Sequence, residues 1–203
     1  MTSISIIGAG NMATAIGARA AAHGHSVEIM SRDSSKARAA ADQIGAAATV
    51  GEYGAKPVGD IVFLAVLSAG AVDIVTHYGD ALAGKILIET TNPFNEDASG
   101  VVTTPGNSIT QQIAAVAPES TQVMKAFNTV FRNVLVVDQP LDVFFAGGDP
   151  AARTQVAKFL ETLDMRPLDT GGLESTHALE WAGILLMGLA RNGAGFGAAL
   201  GAK

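Results

Sequence analysis

Ile6-Ile7-Gly8-Ala9-Gly10-Asn11-Met12-Ala13 decides the fold of this chain. A short apolar strand, residues 4–7, runs into a G-x-G-x-x-(G/A) pattern. An Ala-rich helical stretch, residues 11–23, then continues to Gly24, where a helix commonly stops. In a strand–turn–helix setting each small residue has its own reason. Gly8 allows the tight turn, Gly10 lets a bound pyrophosphate come close to the backbone, and Ala13 keeps the helix near the strand. The free amides of Asn11 and Met12, with the helix dipole behind them, face an anion. Gly8, Ala9, Gly10, Asn11 and Met12 therefore read as the phosphate loop of a dinucleotide-binding βαβ unit.

The second strand, Ser26–Met30, ends at Ser31-Arg32, with Lys36 one helical turn further on. Units that hold NAD place Asp or Glu here for the ribose 2′-hydroxyl, whereas Arg accommodates a 2′-phosphate. Ser31 offers a hydroxyl donor, Arg32 a planar fork for phosphate, and Lys36 a point charge. Glu28 lies earlier, inside the strand. Asp33 or Ser34 is expected to cap the second helix, Ser34–Ile44. The pattern predicts NADP(H) rather than NAD(H).

Outward from this unit the alternation continues. Strands are expected at 47–50, 60–66, 85–89, Gln122–Ala126, 142–146 and 166–169, and helices at 71–78, 108–117, 150–163 and 173–190. Residues 94–106 read as a loop. The Gly- and Ala-rich tail, 192–203, is expected to be mobile. The βαβα rhythm implies an α/β fold, a Rossmann-type doubly wound parallel sheet with a C-terminal helical appendage. Residues 1–170 would form the NADP-binding domain, and 171–203 a helix and tail packed on it.

Composition agrees. The 203 residues are 48% hydrophobic and 16% charged, as suits a sheet covered on both faces. The absence of cysteine excludes disulfides, thiolate metal sites and a Cys nucleophile. A net charge of −6 disfavours nucleic acid, so an anionic cofactor needs a local basic cluster. The start, Met1-Thr2-Ser3-Ile4, enters a strand without a charged leader, and the longest apolar run, 181–190, is too short to cross a bilayer. A cytoplasmic protein without membrane contact is expected.

The nicotinamide end should be lined by later strand ends: Ala65, Val66 and Leu67; Asn92 and Pro93 after Thr91; and Ala126 and Asn128 within 125–129. Small apolar residues let a flat ring stack, and amides can fix its carboxamide. Ordinary strand-to-loop chemistry accounts for the same residues equally well, since Asn-Pro is a turn pair. His23 and His25 flank Gly24 and read as surface residues, as does His77. His177, at the start of the last helix, is the one histidine placed to face a cleft. No metal-ligand spacing, carboxylate pair or Ser/His/Asp set is present, so no catalytic residue is assigned. Hydride transfer asks mainly for positioning, whereas an alcohol dehydrogenase needs a placed proton donor. Trp181, Ile184, Leu185, Leu186 and Leu189 make the last helix apolar, as core, as a dimer contact or as a cover over the cleft.

These stretches together resemble a family, the NADPH-dependent reductases of the deazaflavin coenzyme F₄₂₀. The resemblance is carried by residues 6–12, by Ser31-Arg32 with Lys36, by Lys125-Ala126-Phe127-Asn128-Thr129, by Phe145-Ala146-Gly147-Gly148-Asp149, and by Arg166-Pro167-Leu168-Asp169-Thr170-Gly171. It implies hydride exchange between nicotinamide C4 and deazaflavin C5, NADP held by residues matching 9–12, Ser31, Arg32 and Lys36, and a homodimer with the last helix near the deazaflavin. Lys125, Arg132 and Arg191 are candidate cations for the acceptor's anionic tail. Archaeal members carry a His in the segment matching 125–129, where this chain has Asn128. The same Lys-Ala-Phe-Asn-Thr run resembles the cytosolic domain of six-transmembrane metalloreductases, which pass hydride from NADPH to a flavin. The acceptor thus stays open between a deazaflavin, a flavin and an imine or carbonyl. A non-catalytic NADPH-binding module is the reading from a different class.

Overall fold

The alternation of apolar strands and helices is present in the computed structural model, which describes residues 2–137 and 139–202. In order come β1 (Ser3–Ile7), α1 (Asn11–Ala22), β2 (Ser26–Met30), α2 (Ser34–Ile44), β3 (Ala48–Gly51), β4 (Ile61–Leu64), α3 (Ser68–Tyr78), β5 (Ile86–Glu89), α4 (Ile109–Val116), β6 (Gln122–Ala126), α5 (Arg132–Leu135), β7 (Leu141–Gly147), α6 (Pro150–Glu161), β8 (Met165–Asp169) and α7 (Thr176–Leu189). Ile4, Ile6, Phe63, Ile88 and Met124 face one core, closed by α1, α2 and α6. Val62, Leu64, Leu87 and Val123 face the other, closed by α3 and α4. Both faces are covered, which is why the central strands are continuous apolar runs.

The sheet order is β3-β2-β1-β4-β5-β6-β7-β8. Its first six strands are parallel in the Rossmann order, so the expected fold class holds. β7 then runs antiparallel to β6, because the chain doubles back through 127–140 and the short α5, which the sequence did not announce. β8 pairs parallel with β7 after the α6 crossover. Arg19, buried at the end of α1, ties the halves together: its guanidinium donates to the carbonyls of Val137, Gln139, Leu163 and Asp164. α7 packs against β6, β7 and α4. No helix among the described residues is long and apolar enough to cross a membrane.

Two expectations are corrected. The tail is held rather than loose: the Phe196 ring meets Phe131 edge-on, Ala199 pairs with Val130, and Ala202 donates to Asp142 and accepts from Arg166. Its small residues let the backbone lie close enough to pair. Met1 and Lys203, which the first and last expectations included, lie outside the described residues. His25 is not on the surface but buried. Its Nδ1 accepts from the Thr2 amide, so the neutral ring carries its proton on Nε2 and donates to the Thr162 hydroxyl.

Gly8 is the backbone's tightest requirement. It has φ +132°, and a Cβ there would lie 2.2 Å from the Ala65 carbonyl oxygen. Gly8→Ala is therefore expected to cost about 2–4 kcal/mol in urea unfolding, the range for strain combined with overpacking.

Burial lowers the pKa of His25 from the ordinary 6.5. The unfolded chain then binds this proton more readily than the folded one, so stability rises with pH across this range. Stability should fall as the pH drops below 6.5 and stop falling once the folded ring is also protonated. The unfolding free energy of His25→Gln, followed across the same range, should be flatter with pH.

Candidate functional site

At the switch point between β1 and β4 the strand ends diverge and open a cleft of about 780 Å³. Gly8, Ala9, Gly10, Asn11, Met12, Ser31, Arg32, Lys36, Ala65, Val66, Leu67 and Asn92, all singled out in the sequence, border this one cavity. β1 delivers the phosphate loop, β2 the Ser31-Arg32 corner, β4 the Ala65–Leu67 wall and β5 the Thr90-Thr91-Asn92 floor. Asn128 borders a second, smaller cavity of about 170 Å³ beside it. Ala126 and Pro93 border neither. Ala126 is on the strand face turned into the core under α1, and buried Pro93 uses its carbonyl to hold Val102.

Among the described residues, four of the seven α-helix starts, those of α1, α3, α5 and α7, carry no side-chain cap. Asp33 caps α2, Ser108 caps α4 in a reciprocal box with Gln111, and Asp149 caps α6. Of the uncapped starts, those of α1 and α3 border the cleft. Their free amides point where an anion gains most. Gly10 adds an independent observation. A Cβ built on it meets no atom within 4 Å. Nothing in the chain itself fills that space, which opens onto the cleft.

Charge at the rim agrees. The cavity's lining includes Arg32 and Lys36 and no carboxylate, in a chain of net charge −6. Asp33, the one acid that competes for a ribose, is engaged: it accepts from the Ser35 amide and hydroxyl and from the Lys36 amide. The Ser35 hydroxyl, more than the neighbouring Lys36, holds its carboxyl below the usual range. The site therefore fits a dinucleotide with an additional phosphate. Gly8–Met12 would hold the pyrophosphate, and Ser31, Arg32 and Lys36 the 2′-phosphate.

Residues the sequence did not single out complete the walls. Tyr53, after β3, borders the cleft and stacks on His77 with ring centroids 5.1 Å apart. No local pattern announces an aromatic that reaches the site from a loop. Thr90 borders both cavities, and its neighbour Thr91 hid it as an ordinary strand end. Lys125 is corrected: it is fully buried against Glu89 and unavailable to a ligand. Arg191 donates to the carbonyls of Asp97 and Ala98, which leaves Arg132 as the candidate cation beside the small cavity.

The comparisons with known proteins fall on this geometry. Residues 3–93 match the family described as NADP oxidoreductase, coenzyme F₄₂₀-dependent. That bears out the resemblance read from the sequence. The chain is 26% identical over 180 residues to the metalloreductase STEAP3 of Rattus norvegicus, covering 87% of this chain. It spans only 35% of that relative's length. Among solved structures, a candidate F₄₂₀-dependent NADP reductase from Arthrobacter sp. FB24 superposes with TM-score 0.82 at 22% identity, covering 95% of each chain. An imine reductase from Aspergillus terreus, in complex with NADPH4 and dibenz[c,e]azepine, superposes with TM-score 0.70 at 20% identity, over 97% of this chain and 64% of that one. At these identities the two structures speak to the fold, and the family match to an NADP-dependent oxidoreductase.

Gly10→Ala separates structure from binding. Its unfolding free energy should stay within about 0.5 kcal/mol of the parent, the range for open surface positions. Its NADPH affinity, followed by nicotinamide fluorescence, should fall at least about tenfold, since the new methyl would occupy the space where the phosphate-loop pattern places a pyrophosphate.

Proposed function

We propose that this chain moves hydride between NADP(H), held in the large cleft, and the deazaflavin coenzyme F₄₂₀, whose ring enters the small cavity. One observation carries the reading: the two cavities share a wall made of Met12, Thr90 and Asn92. A donor ring and an acceptor ring on either side of that wall's edge are neighbours, and two-ring transfer asks for little else than proximity and exclusion of water. When bound, NADPH supplies two electrons and a proton as hydride from nicotinamide C4; the deazaflavin takes it at C5 and a further proton from water.

The small cavity has the chemistry of a heterocycle pocket. Phe94, Phe127, Phe131 and Leu186 supply apolar faces. Asn128 supplies a polar point: its amide nitrogen is spent on Asn92 and on the Leu179 carbonyl, while its Oδ1 is buried and lacks a partner. A ring N–H would satisfy that oxygen. Asn128 thus offers an acceptor where archaeal relatives carry His. The size of the cavity, about 170 Å³, favours a second reading, a smaller imine or carbonyl acceptor.

Residues 171–203 would act as a wall over this pocket through Gly183, Leu186 and Met187, and as a dimer contact. Trp181, Leu185 and Leu189 are spaced four apart on one exposed face of α7. A cytoplasmic setting, where both cofactors are soluble, accords with this reading.

Mixing protein, NADPH and each oxidised acceptor, and following absorbance, tests the proposal. Rapid turnover with the deazaflavin supports it. Turnover only with flavin, or only with an imine or carbonyl, replaces the acceptor. Tight NADPH binding with no oxidation by any of them would favour a non-catalytic module.

NADPH should bind at least about 100-fold more tightly than NADH, equivalent to two charge-assisted contacts. Arg32→Ala should erase most of that difference while leaving NADH affinity as it was. Leu185→Arg should convert a dimer to a monomer by light scattering; an unchanged mass would dismiss α7 as the interface.

A further inference from the structure

Behind the shared wall lies a buried ion pair that the reading above does not use. Glu89 and Lys125 are register partners at the ends of β5 and β6, and neither side chain has any exposure. They occupy positions where the strands' alternation puts Leu87 and Val123, so an apolar pair would continue the core under α4. A buried ion pair commonly stabilises no more than such an apolar pair does. What it adds here is direction. Lys125 Nζ donates to the Thr91 carbonyl at 2.8 Å. The Glu89 carboxylate accepts from the Thr91 amide and the Thr91 hydroxyl, each at 2.8 Å, and from the Thr110 hydroxyl at 2.6 Å.

Thr91 is therefore gripped at its amide, its carbonyl and its side chain. It sits between Thr90 and Asn92, two residues just after β5 that border both cavities. From Asn92 the restraint continues. Its side-chain amide donates to the Asn128 carbonyl and its Oδ1 accepts from the Asn128 amide, which also reaches Leu179 of α7. A Cβ on Gly183 of α7 would lie 2.5 Å from Asn92 Oδ1, so the absence of a side chain there gives Asn92 its place against α7.

We infer that Lys125 and Glu89 are positioning residues, which act through Thr91 to hold Thr90 and Asn92 where the donor and acceptor rings meet. This rests on the hydride-transfer reading for its effect on rate, though not for its effect on the bound nicotinamide. A displacement of the order of 1 Å at such a wall costs about 100-fold in transfer. The far end of the cofactor, at Arg32 and Lys36, has no contact with the pair and should bind as before.

The test uses the full chain with NADPH bound. In Lys125→Met/Glu89→Leu both charges leave together, so no unpaired charge is buried and the fold is expected to persist. Its melting temperature should fall, because the Thr91 amide, hydroxyl and carbonyl and the Thr110 hydroxyl lose buried partners, while its NADPH dissociation constant should stay within about threefold. Single-turnover hydride transfer should slow about 100-fold, and the fluorescence lifetime of the bound nicotinamide should shorten and become heterogeneous. An unchanged rate and lifetime would overturn the inference. So would a fall of affinity along with melting temperature and rate, which marks a merely structural pair. If the double variant does not fold, Thr91→Val keeps the shape and removes one grip; a drop of about tenfold in transfer at unchanged affinity supports the inference, and an unchanged rate overturns it. Should the parent oxidise no NADPH with any acceptor, the hydride-transfer reading fails, while the lifetime comparison still decides the positioning role.

Discussion

The approach of Gly8 to Ala65 is the contact on which the rest of the molecule depends. β1 and β4 are neighbours, and the chain leaves them in opposite directions at the switch point, so their ends must cross within van der Waals distance. Only a residue without Cβ, in a left-handed conformation, can turn there, and Gly8 has both properties. Its amide donates to the Met30 carbonyl at 2.8 Å, and the Ala65 amide donates to the Ile7 carbonyl at 2.9 Å. These two bonds hold the ends of β2, β1 and β4 in one row. The cleft exists because that row is fixed and the loops above it diverge.

A second constraint runs through polar groups deep in the β5–β6 half. Glu89, Lys125, Thr91, Thr110, Asn92 and Asn128 form a bonded series from the sheet to α7. Such a network demands nearly full satisfaction, because an unpaired member is costly in a low dielectric. One atom, Asn128 Oδ1, is left over, on a residue that borders a cavity. Phe127 next to it is buried with φ +65°, a conformation that disfavours a bulky residue. Strain and an unsatisfied acceptor on adjacent residues are the pattern of a site shaped for a ligand rather than for stability.

Much of this was legible in the sequence, and unevenly. The phosphate loop and the Ser31-Arg32 corner are local: each chemical role lies within a few residues of the turn that presents it. Register-level features were not legible. Lys125 read as a candidate cation because its partner, Glu89, is 36 residues away and becomes a neighbour only when β5 pairs with β6. His25 read as surface because Thr162, which receives its proton, arrives from α6's end. The tail read as mobile because glycine and alanine carry no side-chain pattern, although their backbone can pair with Val130 and Asp142. The antiparallel turn of β7 had the same cause: α5 is four residues long, too short for any periodicity.

The division between local and long-range features coincides with a division of function. The half whose chemistry is written in short motifs, residues 3–93, is also the half that matches the NADP oxidoreductase family. Recognition of an invariant cofactor needs only a turn, a helix start and two cations, and these can be set by one βαβ unit. The small cavity, the proposed acceptor pocket, instead draws Met12 from α1, Thr90 and Asn92 from the loop after β5, Asn128 after β6 and Gly183 from α7. No single segment encodes it, and because Met12, Thr90 and Asn92 border the large cleft as well, only positions such as Asn128 and Gly183 can change without altering that cleft's lining. Asn128 is bonded to two of those elements at once, so on the proposed reading a change there would move the pocket's walls on both sides.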